Sequence, residues 1–352
     1  MKPFRPDSLV ALPELGRFDD IIDVRTPLEF AEDHIPGAIN APVLSNEERV
    51  RVGTLYKQDS PFVATRIGAA LVARNIAGHL DTLFADKPPG WKPAIYCWRG
   101  GKRSGAMTAW FRLIGWKAAQ LEGGYKAWRR QVLQDLPILP GQFRYCLLGG
   151  LTGSGKTRLL QALSACGAQI LDLEALASHR GSLLGHCPGQ AQPGQKAFET
   201  ALVQTLSTLD RSRPVFVEAE SQTIGRLRLP DALMAAMRGA ECVRVEAGID
   251  DRVAFLCQDY ASLFDDRDDL KARLARLLER VGRKTLEHWQ EQVDHGDMAG
   301  LFRELIEQYY DPAYRRSSRT LFPRLATATT FTFRPNAEHL EPDALRLLVL
   351  LG

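Results

Sequence analysis

Apolar and polar positions alternate along the chain in a way that predicts an α/β protein. Short apolar runs at 21–24 and 94–97 read as strands, and helical patterns fall at 62–79 and 108–115. Strand and helix in alternation imply a largely parallel sheet. The stretch from Asp135 to Gly141 carries the Pro and Gly punctuation of a linker. A second series opens with a strand-like run at 143–148 and a helical pattern at 158–165. Two further runs, 169–174 and 214–221, read as buried strands ending in carboxylates. From about 250 to 320 the chain reads as helical, including one amphipathic helix over 266–282 with leucines on one face and a solvated basic face. The division predicted is therefore residues 1–138 and 139–352, the second with a helical C-terminal region.

Two loops carry candidate chemistry. At 97–104 the sequence Cys-Trp-Arg-Gly-Gly-Lys-Arg-Ser brings one cysteine into a cationic turn that opens a helix. Cations and a helix N-terminus favour the reactive thiolate, and Gly100 and Gly101 let backbone N–H groups turn toward an anion. Cys97 is the candidate nucleophile, with Arg99, Lys102 and Arg103 supplying the positive field. At 150–157 Gly-Leu-Thr-Gly-Ser-Gly-Lys-Thr is a full G-x-x-x-x-G-K-[ST] match between a strand and a helix. Gly150, Gly153, Ser154, Gly155, Lys156 and Thr157 then form a phosphate site, and Thr157 would meet Mg²⁺ if a metal is used. Asp172, Glu174, Glu218 and Glu220 are the candidate acidic partners, each weighed against a helix cap or a surface carboxylate. His179-Arg180-Gly181-Ser182 reads equally as a phosphate-contacting turn or a helix end. Residues 309–319 interleave three tyrosines with three arginines, which suits either an unpaired RNA base with its phosphates or a surface turn.

Composition narrows this little. The chain has 352 residues, 45% hydrophobic and 25% charged, with a net charge of +3. That balance is ordinary for a globular protein and neither demands nor excludes nucleic acid. The N-terminus shows no apolar signal segment and no run approaches a membrane span, so a cytoplasmic protein without membrane contact is expected. The six cysteines show no metal-ligand spacing, so no metal site is assigned. Cys146, Cys166, Cys242 and Cys257 read as small core residues; Cys187, in a Gly/Pro-rich stretch, is harder to dismiss.

The first half resembles a rhodanese domain. Ile22-Asp23-Val24-Arg25 with Glu29-Phe30 and His34-Ile35-Pro36-Gly37-Ala38 resembles the entry motif, Cys97–Ser104 the active loop, and Leu121-Glu122-Gly123-Gly124-Tyr125 the closing motif. The resemblance implies a Cys97 that carries a transferable chalcogen; Asp23, Arg25 and His34 are read as fold-holding. Five residues separate Cys97 from Arg103, one more than in the common sulfur-transferring loop and the same count as in the Cys-x5-Arg phosphatase loop. A phosphate-sized donor, or drift toward phosphatase chemistry, follows from that count.

A rhodanese-like half followed by a P-loop half resembles the tRNA 2-selenouridine synthase family. Residues 171–182, Val217-Glu218-Ala219-Glu220-Ser221 and Tyr310-Asp311-Pro312-Ala313-Tyr314 resemble further stretches of that family. The resemblance implies tRNA as partner, geranyl diphosphate and selenophosphate as co-substrates, and a selenophosphate-supplying enzyme upstream. Wobble 2-thiouridine would be S-geranylated at the P-loop half and then given selenium, carried as a perselenide on Cys97. The competing readings are an ATP-dependent rhodanese-type sulfurtransferase and a nucleotide-gated docking module.

Overall fold

The computed structural model describes residues 8–182, 184–185, 191–336, 338 and 340–351; Cys187 lies outside them. It divides into two compact units, Met1–Asp135 with Gly194–Gln204, and Leu136–Pro193 with Thr205–Gly352. Gly194–Gln204 groups with the first unit although it follows the P-loop in sequence.

In the first unit five short strands form one parallel sheet: β1 (Leu9–Val10), β2 (Asp20–Asp23), β3 (Ile39–Asn40), β4 (Pro93–Tyr96) and β5 (Ala119–Leu121), in the order β1-β5-β4-β2-β3. The central β4 is buried at every position, as an uninterrupted apolar strand covered on both faces must be. Helices α1 (Pro27–Glu32), α2 (Asn46–Gln58), α3 (Pro61–Asp81), α4 (Lys102–Ile114) and α5 (Gly124–Asp135) surround it. Thr26 and Ser45 open α1 and α2 with capping boxes closed by Glu29 and Glu48. Phe84, Trp91, Phe111 and Trp116 pack edge-to-face or tilted on one side of the sheet.

Asp23 and Arg25 form a fully buried pair at 2.6 Å, and Arg25 also donates to the Asp33 carbonyl. His34 contacts the Phe30 carbonyl at 2.9 Å and stacks on its ring, which keeps all three in the fold-holding role.

The second unit holds another five-stranded parallel sheet, in the order β12-β11-β6-β8-β7. Its strands are β6 (Tyr145–Gly149), β7 (Gln169–Leu171), β8 (Val215–Glu218), β11 (Glu241–Glu246) and β12 (Thr329–Thr332); β9 (Thr223–Ile224) and β10 (Leu227–Arg228) form a separate hairpin. Around the sheet lie α6 (Lys156–Ala165), α7 (Leu173–Ala177), α9 (Asp231–Arg238) and the terminal α16 (Glu341–Leu351); α8 (Gln195–Thr208) falls mostly in the first unit.

A helical layer follows: α10 (Ile249–Asp259), α11 (Arg267–Ala275), α12 (Leu278–Val281), α13 (Arg283–His295), α14 (Met298–Glu304) and α15 (Asp311–Leu321). It has its own core around Trp289, Leu274, Leu301 and Ile306. The single helix expected over 266–282 is two: α11 stops at Ala275, and Gly282 at φ +82 ends α12. Leu270, Leu274 and Leu277 are buried as expected, Leu278 is exposed, and Arg276 and Arg280 of the basic face are exposed. Residues 309–319 are helical rather than a turn. A π-helical turn, Leu305–Tyr310, runs directly into α15, whose Pro312 has no N–H to donate back to that turn.

Candidate active sites of the two units

Cys97 leaves β4 at its carboxyl end, where open α/β sheets place their reactive groups, and α4 starts five residues on. Its sulfur accepts hydrogen bonds from the Gly101 N–H and the Ser104 hydroxyl, both at 3.2 Å. Burial pushes the thiol up, but the Ser104 hydroxyl and N–H, the Gly101 N–H and the Arg103 charge outweigh it, so the thiol lies below its ordinary range. The loop is braced from β5: Gln120 Nε2 donates to the Gly100 and Gly101 carbonyls and to Ser104 Oγ. Gly100 sits at φ +65, and a Cβ there would lie 2.6 Å from the Leu121 carbonyl, so only glycine fits this turn.

Arg103 is half-buried and bound through both terminal nitrogens to Glu29, at 2.7 and 3.2 Å. Its guanidinium is thus committed to α1 while its charge still acts on Cys97. Arg99 and Lys102 are exposed beside the loop. Ser104, Gln120 and Glu29 are the residues that sequence reasoning did not assign to the site; the hydroxyl directly after Arg103 was the one legible signal.

The P-loop joins β6 to α6. Gly153 and Gly155 lie at φ +79 and +75, the left-handed turns that aim successive N–H groups inward. Lys156 Nζ folds back on the Gly150 carbonyl at 3.0 Å, and Thr157 Oγ1 lies 3.4 Å from Glu174 Oε2. Ser154 is buried and its hydroxyl has no hydrogen-bond partner among the described residues.

The loop opens on a cavity of about 1260 Å³. That cavity brings together Lys156 and Thr157, the acidic residues Glu174, Glu218 and Glu220, and the His179–Ser182 turn. Arg276, Arg280 and Arg316 reach it from the helical layer, and Tyr260, Tyr309 and Tyr310 give it an aromatic wall.

Asp172 is the exception among the expected residues. Its carboxylate caps α7 by accepting from the Ala175 N–H at 2.8 Å, and it does not line the cavity. Two residues on, Glu174 does. Ser178 closes α7, and His179 and Arg180 follow it and line the cavity. Arg180 is tied to Asp259 at 2.9 Å and lies over the Tyr260 ring at 4.8 Å.

Burial, then the charges of Glu218 and Glu220, push Glu174 up to about 10 against the pull of Lys156. Burial and Glu218 push Glu220 to about 8, and burial raises Glu218, whose Oε1 has no hydrogen-bond partner among the described residues. Among the described residues no three His, Cys, Asp or Glu side chains are grouped to hold a metal ion.

The cavity wall is held by two contacts that sequence reasoning did not foresee. Tyr314, in the segment read from sequence as either RNA-facing or a surface turn, accepts the Gly150 N–H at 2.8 Å. Arg252 donates to the Thr152 carbonyl at 2.8 Å and to both oxygens of Asp311 at 3.0 and 2.6 Å. The P-loop is thereby fastened to α15. No helix among the described residues is long and apolar enough to cross a membrane.

Comparison with known proteins agrees with both halves. The model of the tRNA 2-selenouridine synthase AAA domain matches residues 143–329, and that of the rhodanese-like domain matches residues 5–131. A tRNA 2-selenouridine synthase of Marinobacter nauticus is 34% identical over 328 residues, 84% of this chain and 87% of its own length. Its counterpart in Nitrosomonas europaea is 37% identical over 248 residues, 68% of this chain and 63% of its own. That of Sulfurovum sp. is 32% identical over 335 residues, 86% and 91% of the two chains. With a rhodanese-like match followed by the synthase AAA-domain match, and relatives that align along most of its length, this chain belongs to the tRNA 2-selenouridine synthase family.

Proposed function

We propose that the chain modifies tRNA at the wobble position, converting 2-thiouridine to 2-selenouridine in two chemical steps. In the first, the thiocarbonyl sulfur attacks C1 of geranyl diphosphate. A C–S bond forms, the C–O bond to the diphosphate breaks, and pyrophosphate leaves while the base gives up its N3 proton. Lys156 and the P-loop N–H groups neutralise the departing pyrophosphate. Mg²⁺ entering with the diphosphate would meet Thr157, which EDTA in this step would reveal.

The alkylation makes chemical sense of the second step, because it turns a poor leaving group into a thiol. The selenium of selenophosphate adds at C2, the C–S bond breaks and geranylthiol departs, and water then cleaves the Se–P bond so that phosphate leaves and selenium stays on the base. Cys97 is the thiolate that engages the donor. A perselenide there would need a two-electron oxidant that neither co-substrate supplies, so this reading leaves selenium at the selenide level throughout. A tRNA substrate and a selenophosphate-supplying enzyme would place the reaction in the cytoplasm.

The observation that carries the reading is the cavity at the P-loop. It is wider than a diphosphate needs and is walled by tyrosines and arginines suited to an unpaired base and its phosphates. The test is mass spectrometry of 2-thiouridine-containing tRNA incubated with the protein and geranyl diphosphate, then with selenophosphate. A prenyl mass that appears and is then replaced by selenium is the expected result. No change at either stage, with ATP consumed once a sulfur donor is supplied, would establish the sulfurtransferase instead.

A further inference from the structure

A second cavity, of about 560 Å³, lies beside the P-loop within the same unit. Gly150, Leu151 and Ser154 line it, whereas Thr152, Gly153 and Gly155–Thr157 line the larger one. The phosphate loop therefore runs between two chambers. So does α15: Tyr314 and Ser318, one helical turn apart, and then Phe322 contribute to both.

The two chambers differ in chemistry. Beyond the P-loop, the smaller one is lined by apolar residues such as Val245, Phe322 and Leu325 together with Glu246 and the arginines Arg244, Arg252, Arg315 and Arg319. The larger one carries the acidic trio, His179 and the tyrosine wall. Ser154 adds a buried hydroxyl, without a partner among the described residues, on the smaller chamber's P-loop side. That is the environment for a ligand with a polar head and an apolar tail.

Resting on the prenyl-transfer reading above, we infer that the prenyl tail of the donor lies in the smaller cavity, its diphosphate on the P-loop, and the nucleic acid in the larger cavity. The reacting carbon then sits at the shared wall, near Lys156 and Tyr314. Apolar side chains such as Leu325 and Phe322 give the tail its contacts, and the P-loop gives the head its charge partners. Two substrates approach one loop from two sides, so neither blocks the other.

The test fills one cavity at a time at positions that are not deeply buried. Ala247→Phe and Ala326→Phe intrude on the smaller chamber, and Ala313→Phe on the larger. Initial rates are measured with five-carbon dimethylallyl and ten-carbon geranyl diphosphates, and calorimetry compares geranyl diphosphate with inorganic pyrophosphate.

Ala247→Phe and Ala326→Phe should raise KM for the ten-carbon donor about tenfold or more, with little effect on the five-carbon donor, on pyrophosphate or on KM for tRNA. Ala313→Phe should raise KM for tRNA and leave the choice between donors alone. A chain-length preference that moves with Ala313→Phe, or with none of the three, overturns the assignment. Wild-type protein inert with every prenyl diphosphate overturns the prenyl-transfer reading itself, and this inference with it. Loss of folding in one smaller-cavity variant leaves the other, and pyrophosphate binding shows whether the P-loop is intact.

Discussion

Replacing Ser104 by Ala isolates the interaction that keeps Cys97 reactive. The Cys97 thiol is buried, and burial alone opposes ionisation. Four contributions reverse that, and the Ser104 hydroxyl at 3.2 Å from the sulfur is the largest of them. A hydrogen bond to a charged acceptor contributes about 1.5 kcal/mol. Losing it should therefore cut the thiolate fraction about tenfold wherever the thiol is mostly protonated, because about 1.4 kcal/mol is a factor of ten. The cavity left is small, and Gln120 still holds the loop through the Gly100 and Gly101 carbonyls. The assay is iodoacetamide alkylation of the Cys97 peptide, quantified by mass spectrometry across pH 5 to 9. The wild-type profile should rise at lower pH than an ordinary thiol, and the Ser104→Ala profile should move toward higher pH. Cys146 is the internal control: burial, with the charge of Glu241 and the neighbouring Cys242, pushes its thiol up to about 12, so it should stay unreacted. Superimposable profiles for wild type and variant would refute the claim that Ser104 tunes the sulfur.

The remaining predictions bear on the second unit and on the division of labour. Lys156→Ala should stop the reaction before the prenyl mass appears and Cys97→Ala after it; both failing at one step in the two-stage mass assay would count against the assignment. Arg252→Met strands the buried Asp311 carboxylate and should cost about 3–5 kcal/mol in calorimetric unfolding, most of it recovered by adding Asp311→Leu. Equal, additive losses would mean the pair is not coupled. Gly150→Ala drives a Cβ to 2.5 Å from the Val245 carbonyl, so the strand–loop junction must shift and pyrophosphate affinity should fall at least tenfold by calorimetry. Glu220 binds its proton more tightly folded than unfolded, so the stability it contributes is complete below about pH 4.5 and lost as pH rises through about 8. Glu220→Gln should remove that loss and raise the melting temperature more at pH 8 than at pH 5; an equal change at both would show that Glu220 does not titrate across the range.

How far the chain could be read in advance depends on how local each feature is. The parallel sheets follow from apolar runs such as 94–97 and 143–148, because a strand covered on both faces has to be apolar along its length. The cysteine loop and the P-loop were legible because each is a contiguous segment in which glycine, cation and helix start must occur together. Asp172 shows where contiguity misleads. A carboxylate after a strand can serve either an ion or the next helix, and the free N–H of Ala175 claims it. Glu174, two residues later, reaches the cavity only because α7 turns it back toward Thr157.

The features that make a cavity out of the P-loop were out of reach for a stronger reason. Arg252 and Asp311 are 59 residues apart, and each alone is an unremarkable charge on a helix. Tyr314 is 164 residues from the Gly150 N–H it accepts. In sequence its neighbours Arg315 and Arg316 made it look like part of an RNA-facing stripe. Folding splits that stripe by helical geometry: Arg315 and Arg319 turn to the smaller cavity, Arg316 and Ser317 to the larger, and Tyr314 to the wall between them. Local sequence identifies the loop that binds a phosphate. What separates the two cavities around that loop is one helix, and its register against the P-loop is set by a buried ion pair, Arg252–Asp311, and one tyrosine hydroxyl.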